Sequence, residues 1–100
     1  RARLMSRGRA SYTYISATSN TVVKKGYGTL YSITGNFPTG TIVRADDAHS
    51  FNQGVLDINA TSSNTIGRYA SNTTFGVGLG LNTGLVVAVS SNASITVEYE

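Results

Sequence analysis

From residue 11 onward, short stretches rich in Thr, Val, Ile and Tyr alternate with clusters of Gly, Asn, Ser and Pro. The interval is about ten residues, the rhythm of a sandwich or barrel of short strands. The pattern predicts strands over 12–17, 21–25, 29–34, 41–45, 55–59, 66–70, 75–81, 85–90 and 94–99. No stretch carries the three-and-four spacing of a long amphipathic helix. The turn signals have mechanisms: Asn20 follows Ser19, Lys25-Gly26-Tyr27-Gly28 supplies glycines for positive φ, and Gly35-Asn36-Phe37-Pro38-Thr39-Gly40 combines three strand-punctuating residue types.

The last strand alternates cleanly, with Ile95, Val97 and Tyr99 on one face and Thr96, Glu98 and Glu100 on the other. Its predecessor, Leu85-Val86-Val87-Ala88-Val89, is apolar on both faces, which predicts cover on both, by its own core and by another layer or subunit. The short Ser91-Asn92 link predicts that these two strands pair as an antiparallel hairpin. In Phe75-Gly76-Val77-Gly78-Leu79-Gly80-Leu81, an extended backbone puts every large side chain on one face and every glycine on the other. That leaves a bare backbone surface another chain can approach; the plainer reading is a loose, bulged strand or a loop. The expected fold is all-β: a small antiparallel β-sandwich, jelly-roll-like or barrel-like, over residues 11–100, preceded by an extended basic N-terminal arm over residues 1–10.

Composition agrees. The chain has 100 residues, room for one domain with a thin core that gains from association of copies. Charged residues make up only 13%, and Ser, Thr, Asn and Gly dominate the polar remainder. Cys is absent, which excludes a disulfide framework, a thiolate nucleophile and a Cys-type zinc site, and suits an assembly made in a reducing cytoplasm. No apolar run approaches the ~20 residues that span a bilayer, so the expectation is a soluble protein with no membrane partner. The net charge is +3, yet Arg1, Arg3, Arg7 and Arg9 supply four of the eight basic residues, and without them the remainder carries −1. The basic character therefore belongs to the arm, which reads as a solvated tail, as a contact for an acidic protein partner, or less readily as a nucleic-acid contact, because it has no aromatic residue for base stacking.

Candidate chemistry is sparse. Gly76-x-Gly78-x-Gly80 lacks the spacing and the following helix of a dinucleotide fingerprint. Asp46, Asp47 and His49, with Asp57 if it folds back beside them, form the one cluster with ligand chemistry for a hard divalent ion; such residues in a turn more often only face water. His49 is the only histidine, with Ser50 and Asp47 adjacent only in sequence, and no nucleophile elbow is present. The expectation is therefore no enzyme, no cofactor and no resident metal. Tyr12, Tyr14 and Tyr27 offer rings for a sugar face, although alternating Tyr in strands usually packs or lines an interface. Asn59, Asn72 and Asn92 head formal glycosylation triplets, which arise readily by chance in so Asn-, Ser- and Thr-rich a chain.

Four passages carry a resemblance: Gly28-Thr29-Leu30-Tyr31-Ser32-Ile33, Gly40-Thr41-Ile42-Val43-Arg44-Ala45-Asp46, Thr83-Gly84-Leu85-Val86-Val87 and Ala93-Ser94-Ile95-Thr96-Val97-Glu98-Tyr99. In these, residues 22–100 resemble the small head-decoration, or cement, proteins encoded beside structural genes in tailed bacteriophages. The resemblance implies a β-sandwich seated on the outer surface of a phage head, often as a trimer, and it carries over no functional residue. It makes the major capsid protein and further copies of the chain the expected partners. The expected contacts are Arg1, Arg3, Arg7 and Arg9 toward the capsid, and Phe75, Gly76, Val77, Gly78, Leu79, Gly80, Leu85 and Val87 between copies. The alternative expectation is a phage tail or fibre module that adheres to a host-surface glycan.

Overall fold

The computed structural model describes residues 10–16, 19–49, 65–90 and 93–100. They form eight strands: β1 (Ser11–Ser16), β2 (Ser19–Lys25), β3 (Gly28–Asn36), β4 (Val43–Asp46), β5 (Thr65–Tyr69), β6 (Thr73–Leu81), β7 (Gly84–Val89) and β8 (Ser94–Tyr99). One sheet, here sheet A, has the order β1-β8-β3-β6, and the other, sheet B, has β2-β7-β4-β5. All pairings are antiparallel.

The order follows one rule. First pairs with last: β1 with β8, β2 with β7, β3 with β6 and β4 with β5. The β3–β8 and β4–β7 pairings then knit the four ribbons into two sheets. Every step along the chain except β4 to β5 changes sheet. A long double ribbon rolled upon itself in this way is the jelly roll, which gives the expected all-β sandwich its particular topology.

The expected hairpin between 85–90 and 94–99 does not form. β7 lies between β2 and β4 in sheet B, whereas β8 lies between β1 and β3 in sheet A. Both strands are central and need a partner on each side, and a hairpin would supply only one. The end of β7 is held within its own sheet, by the residue ahead of β4: the Ile42 amide donates to Ser90 Oγ at 2.8 Å, and the Ser90 amide donates to the Ile42 carbonyl at 3.0 Å, continuing the ladder in which Val43 pairs with Val89. Asn20, expected in a turn, lies within β2, and the strand expected over 41–45 starts at Val43. Ahead of it, the Thr41 amide closes a turn onto the Pro38 carbonyl at 2.9 Å, with Gly40 at φ +87° in the third position that such a turn reserves for glycine. The expected strand 55–59 lies outside the described residues.

Alternation fills the space between the sheets. Leu30, Ile33, Val43, Leu85, Val87, Ile95 and Val97 are fully buried there, and each such aliphatic side chain contributes about 1.5–3 kcal/mol on leaving water. Val86 and Ala88, on the other face of β7, are also buried, so both apolar faces of that strand are covered within one chain. Their cross-strand neighbours Asp46 and Arg44 share that outer face of sheet B. Arg44 grips Asp46 with two donors, Nε to Oδ1 and Nη2 to Oδ2, both at 2.9 Å, and Nη2 also donates to Thr65 Oγ1 at 3.0 Å. Among the described residues, Arg44 is the largest fully buried side chain.

Removing one member of such a pair strands a buried charge, so Arg44→Ala should cost about 3–5 kcal/mol in urea unfolding, whereas the apolar double replacement R44M/D46L should cost far less. Gly35 sits at φ +144° where β3 meets β8, and an added Cβ would run into the Ser94 carbonyl oxygen and lie 2.8 Å from Ile95 Cα. Gly35→Ala should therefore destabilise by at least about 2 kcal/mol, a loss visible as a lowered urea midpoint at unchanged slope.

Candidate interaction surfaces

Sheet edges are where one chain most readily meets another, and β6 is an edge of sheet A. Its glycines do not produce the expected one-sided strand. In the register with β3, Leu30 faces Leu79 and Ser32 faces Thr74, so the single residue Tyr31 stands opposite residues 75–78. Gly76 at φ +65° and Gly78 at φ +115° reverse the local twist and break the two-residue alternation. Phe75 and Leu79 lean on the core, Phe75 meeting Tyr69 of the opposite sheet edge-on at 5.7 Å, while Val77 is turned outward and 95% exposed. Gly78 lets the bulge close over Tyr31, since a Cβ there would overlap the Thr29 methyl and lie 2.9 Å from the Tyr31 ring. The plainer, bulged reading of this passage therefore describes the strand.

Of the residues expected between copies, Leu85 and Val87 are wholly committed to the chain's own core, and Phe75 and Leu79 largely so. Gly76, Val77 and Gly80 face solvent. Arg1, Arg3, Arg7 and Arg9 lie outside the described residues.

The acidic turn does not gather into a site. Asp46 is taken by Arg44, and Asp47 points the other way, accepting from the amides of Asn82 (2.9 Å), Thr83 (2.8 Å) and Gly84 (3.1 Å). His49 is exposed, and Asp57 and Ser50 lie outside the described residues. Among the described residues, no three His, Asp or Glu side chains converge on a metal position. Asp47 instead buckles the start of the β4–β5 connection to the β6–β7 turn. Partial burial pushes its pKa up, and the three amide donors outweigh this and hold the carboxyl below its ordinary value of 3.8.

A surface not assembled by sequence reasoning is the outer face of sheet A. Register places Tyr12, Glu98, Ser32 and Thr74 side by side across all four strands, and Tyr14, Thr96 and Thr34 in the next row. Glu98 accepts from Tyr12 Oη and Ser32 Oγ, each at 3.2 Å, and Glu100 accepts from Tyr31 Oη at 2.7 Å. The rings of Tyr12 and Tyr14 are 65% and 67% exposed, and the cross-strand contacts leave their faces to solvent rather than packing them. Tyr27, also exposed, stands with Lys24, Lys25 and Glu100 around an open groove at the same end of the sandwich. The alternating parities of 12–15 and 95–98 were visible in the sequence; the pairing of β1 with β8 that joins them was not.

Comparison of the chain with protein families, curated proteins and solved structures finds no match.

The lowered Asp47 pKa means that the folded protein holds this carboxylate ionised more readily than the unfolded chain does. Its contribution is therefore complete well above pH 3.8 and is lost as pH falls through and below that value. Asp47→Asn should lose about 1 kcal/mol at pH 7, with the difference from the unsubstituted chain narrowing in urea titrations carried toward pH 3.

Proposed function

We propose that this chain is a virion structural protein that decorates the outer surface of a phage head and stabilises the shell. The observation that carries the reading is the nested topology of the sandwich, β1-β8-β3-β6 over β2-β7-β4-β5, an architecture recurrent in viral coat and lectin domains. Topology is shared among many functions, so the surface features matter as well. The rigid core is sealed within one chain, and the edge bulge at Val77 and the polar face of sheet A are turned to solvent. Four arginines without an acid in the first nine residues suit acidic patches on a major capsid protein. The thin core and the exposed Gly76-Val77 edge favour a homotrimer joined along β6, the contact between copies that burial of Leu85 and Val87 leaves available.

One observation favours a second reading, an adhesion module for a host-surface glycan. Two exposed tyrosines, two residues apart on β1, flank a row of hydroxyls and the Glu98 carboxylate, and sugars are commonly met by aromatic faces rimmed with hydrogen-bonding groups.

The deciding experiment is co-sedimentation with phage capsids stripped of accessory proteins. Decoration requires saturation at a fixed ratio to the major capsid protein, and replacement of Arg1, Arg3, Arg7 and Arg9 by Gln should weaken binding about tenfold, on the order of 0.3 kcal/mol per arginine. No saturable binding by the folded chain, together with retention on a glycan array, would transfer the assignment to adhesion. Light scattering at high micromolar concentration should report a trimer that Val77→Asp dissociates; a monodisperse monomer contradicts the β6 interface.

A further inference from the structure

We propose that the groove at the turn between β2 and β3 is a binding site for an acidic saccharide, a sugar ring that bears a carboxylate. The proposal deepens the adhesion reading and rests on it for the class of ligand. Neither Tyr12 nor Tyr14 lines the groove, so the site and that reading can fail separately.

Shape is the first argument. The groove, about 660 Å³, is lined by Lys24 and Lys25 at the end of β2, by Gly26-Tyr27-Gly28-Thr29 and by Glu100. Small-molecule sites commonly enclose roughly 300–1,000 Å³. The walls are fastened on both sides. The Gly26 amide donates to the Thr83 carbonyl at 2.8 Å, and the Thr83 amide is itself held by Asp47. The Thr29 amide donates to the Glu100 carbonyl at 2.9 Å, and the Glu100 amide donates to the Thr29 carbonyl at 2.8 Å. Gly28 completes the frame. A Cβ there would overlap Lys24 Cε and the Glu100 carbonyl oxygen and lie 3.1 Å from Lys24 Cδ. The bare backbone therefore lets the Lys24 stem lie against the turn, which positions the side chain before any ligand arrives.

Chemistry is the second argument. Among the described residues, Lys24 and Lys25 make no ion pair, with Glu100 or with any other acid. The lining therefore offers two ammonium groups and one carboxylate. Tyr31 Oη donates to Glu100 Oε1 at 2.7 Å, which orients that carboxylate and leaves Oε2 able to accept from a ligand. The Tyr27 ring is 83% exposed. Each group matches a different part of an acidic sugar. The lysines take its carboxylate through charge-assisted hydrogen bonds, Glu100 accepts from a ring hydroxyl, and Tyr27 covers the apolar face of the ring. Glu100 also discriminates among anions. A polyphosphate or a nucleic acid would bring further negative charge against it, whereas a sugar presents hydroxyls there.

The test follows amide chemical shifts of the chain titrated with trigalacturonate and with sialyllactose. The controls are the methyl-esterified trigalacturonate, lactose and an oligothymidylate. The expected result is saturable binding of the acidic sugars, with shifts clustered at residues 24–29 and Glu100. The uncharged counterparts should bind at least about tenfold more weakly, and K24Q/K25Q should weaken the acids to a similar extent. K24R/K25R should retain binding, and Tyr27→Ala should weaken the acidic and neutral sugars alike. Absence of shifts with both acids would overturn the groove and leave the adhesion reading to the glycan array. Shifts confined to Tyr12 and Tyr14 would overturn the groove while supporting adhesion. Equal binding of acid and uncharged counterpart, indifference to K24Q/K25Q, or tighter binding of the oligothymidylate at the same residues would overturn the choice of ligand. Should K24Q/K25Q lose the dispersed spectrum of the folded chain, Lys25→Gln and Tyr27→Ala, both at exposed positions, decide.

Discussion

The strands of this protein are paired first with last and inward from there, down to the consecutive β4 and β5 at the centre, and every other feature depends on that nesting. β1 is completed only when β8 arrives, and β2 only when β7 does. Apart from β4 with β5, no two consecutive strands pair, because successive strands from β1 to β4 and from β5 to β8 lie in opposite sheets. Such topology makes closure of long loops a precondition for burying the core, which is costly in chain entropy and slow. What offsets it is the near-complete burial of both central strands of sheet B and the inward faces of β3 and β8.

The polar elements act as fasteners on this roll. Arg44, Asp46 and Thr65 tie β4 to β5 on the outer face of sheet B, where an isolated buried charge would be intolerable. Asp47 then ties the same stretch to the β6–β7 turn through three amides, so one two-residue step serves both sheets. On the far side, the row headed by Tyr12 is tied by the hydroxyls of Tyr12 and Ser32 to the Glu98 carboxylate, while the Tyr12 and Tyr14 side chains stay largely exposed. The bulge in β6 serves a different end. By turning Val77 outward and interrupting the ladder opposite Tyr31, it blunts one sheet edge against indiscriminate strand addition, and any contact there must be made by side chains and a shaped backbone.

Much of this was legible from alternation alone. The positions of eight of the nine expected strands, to within about two residues, the inward set Ile95-Val97, the two-sided burial of 85–89 and the bulging of the glycine-rich strand all follow from residue parity and size. Pairing was not legible, because parity says which face a residue takes and nothing about its neighbours across the sheet. The short Ser91-Asn92 link pointed to a hairpin, yet a link of that length also suffices to cross between packed sheets, and the demand of two central strands for two partners each decided the outcome. The same blindness hid the Tyr12–Glu98 row, whose members are 86 positions apart in the chain. It also hid the division of labour in Asp46-Asp47: adjacent carboxylates on a strand end point to opposite sides, one to a guanidinium and the other to a turn.

Cross-strand contacts between backbone protons, read from nuclear Overhauser spectra of the labelled chain, test the nesting directly, since Cα atoms of directly opposed antiparallel residues lie only about 4.5–5.5 Å apart. The account predicts contacts of Tyr12 with Glu98, Thr21 with Val87 and Ala45 with Val87. It predicts no ladder between residues 85–89 and 95–99. A continuous ladder between those two segments would contradict it, returning the chain to a simple meander and removing the surface on which the functional reading stands.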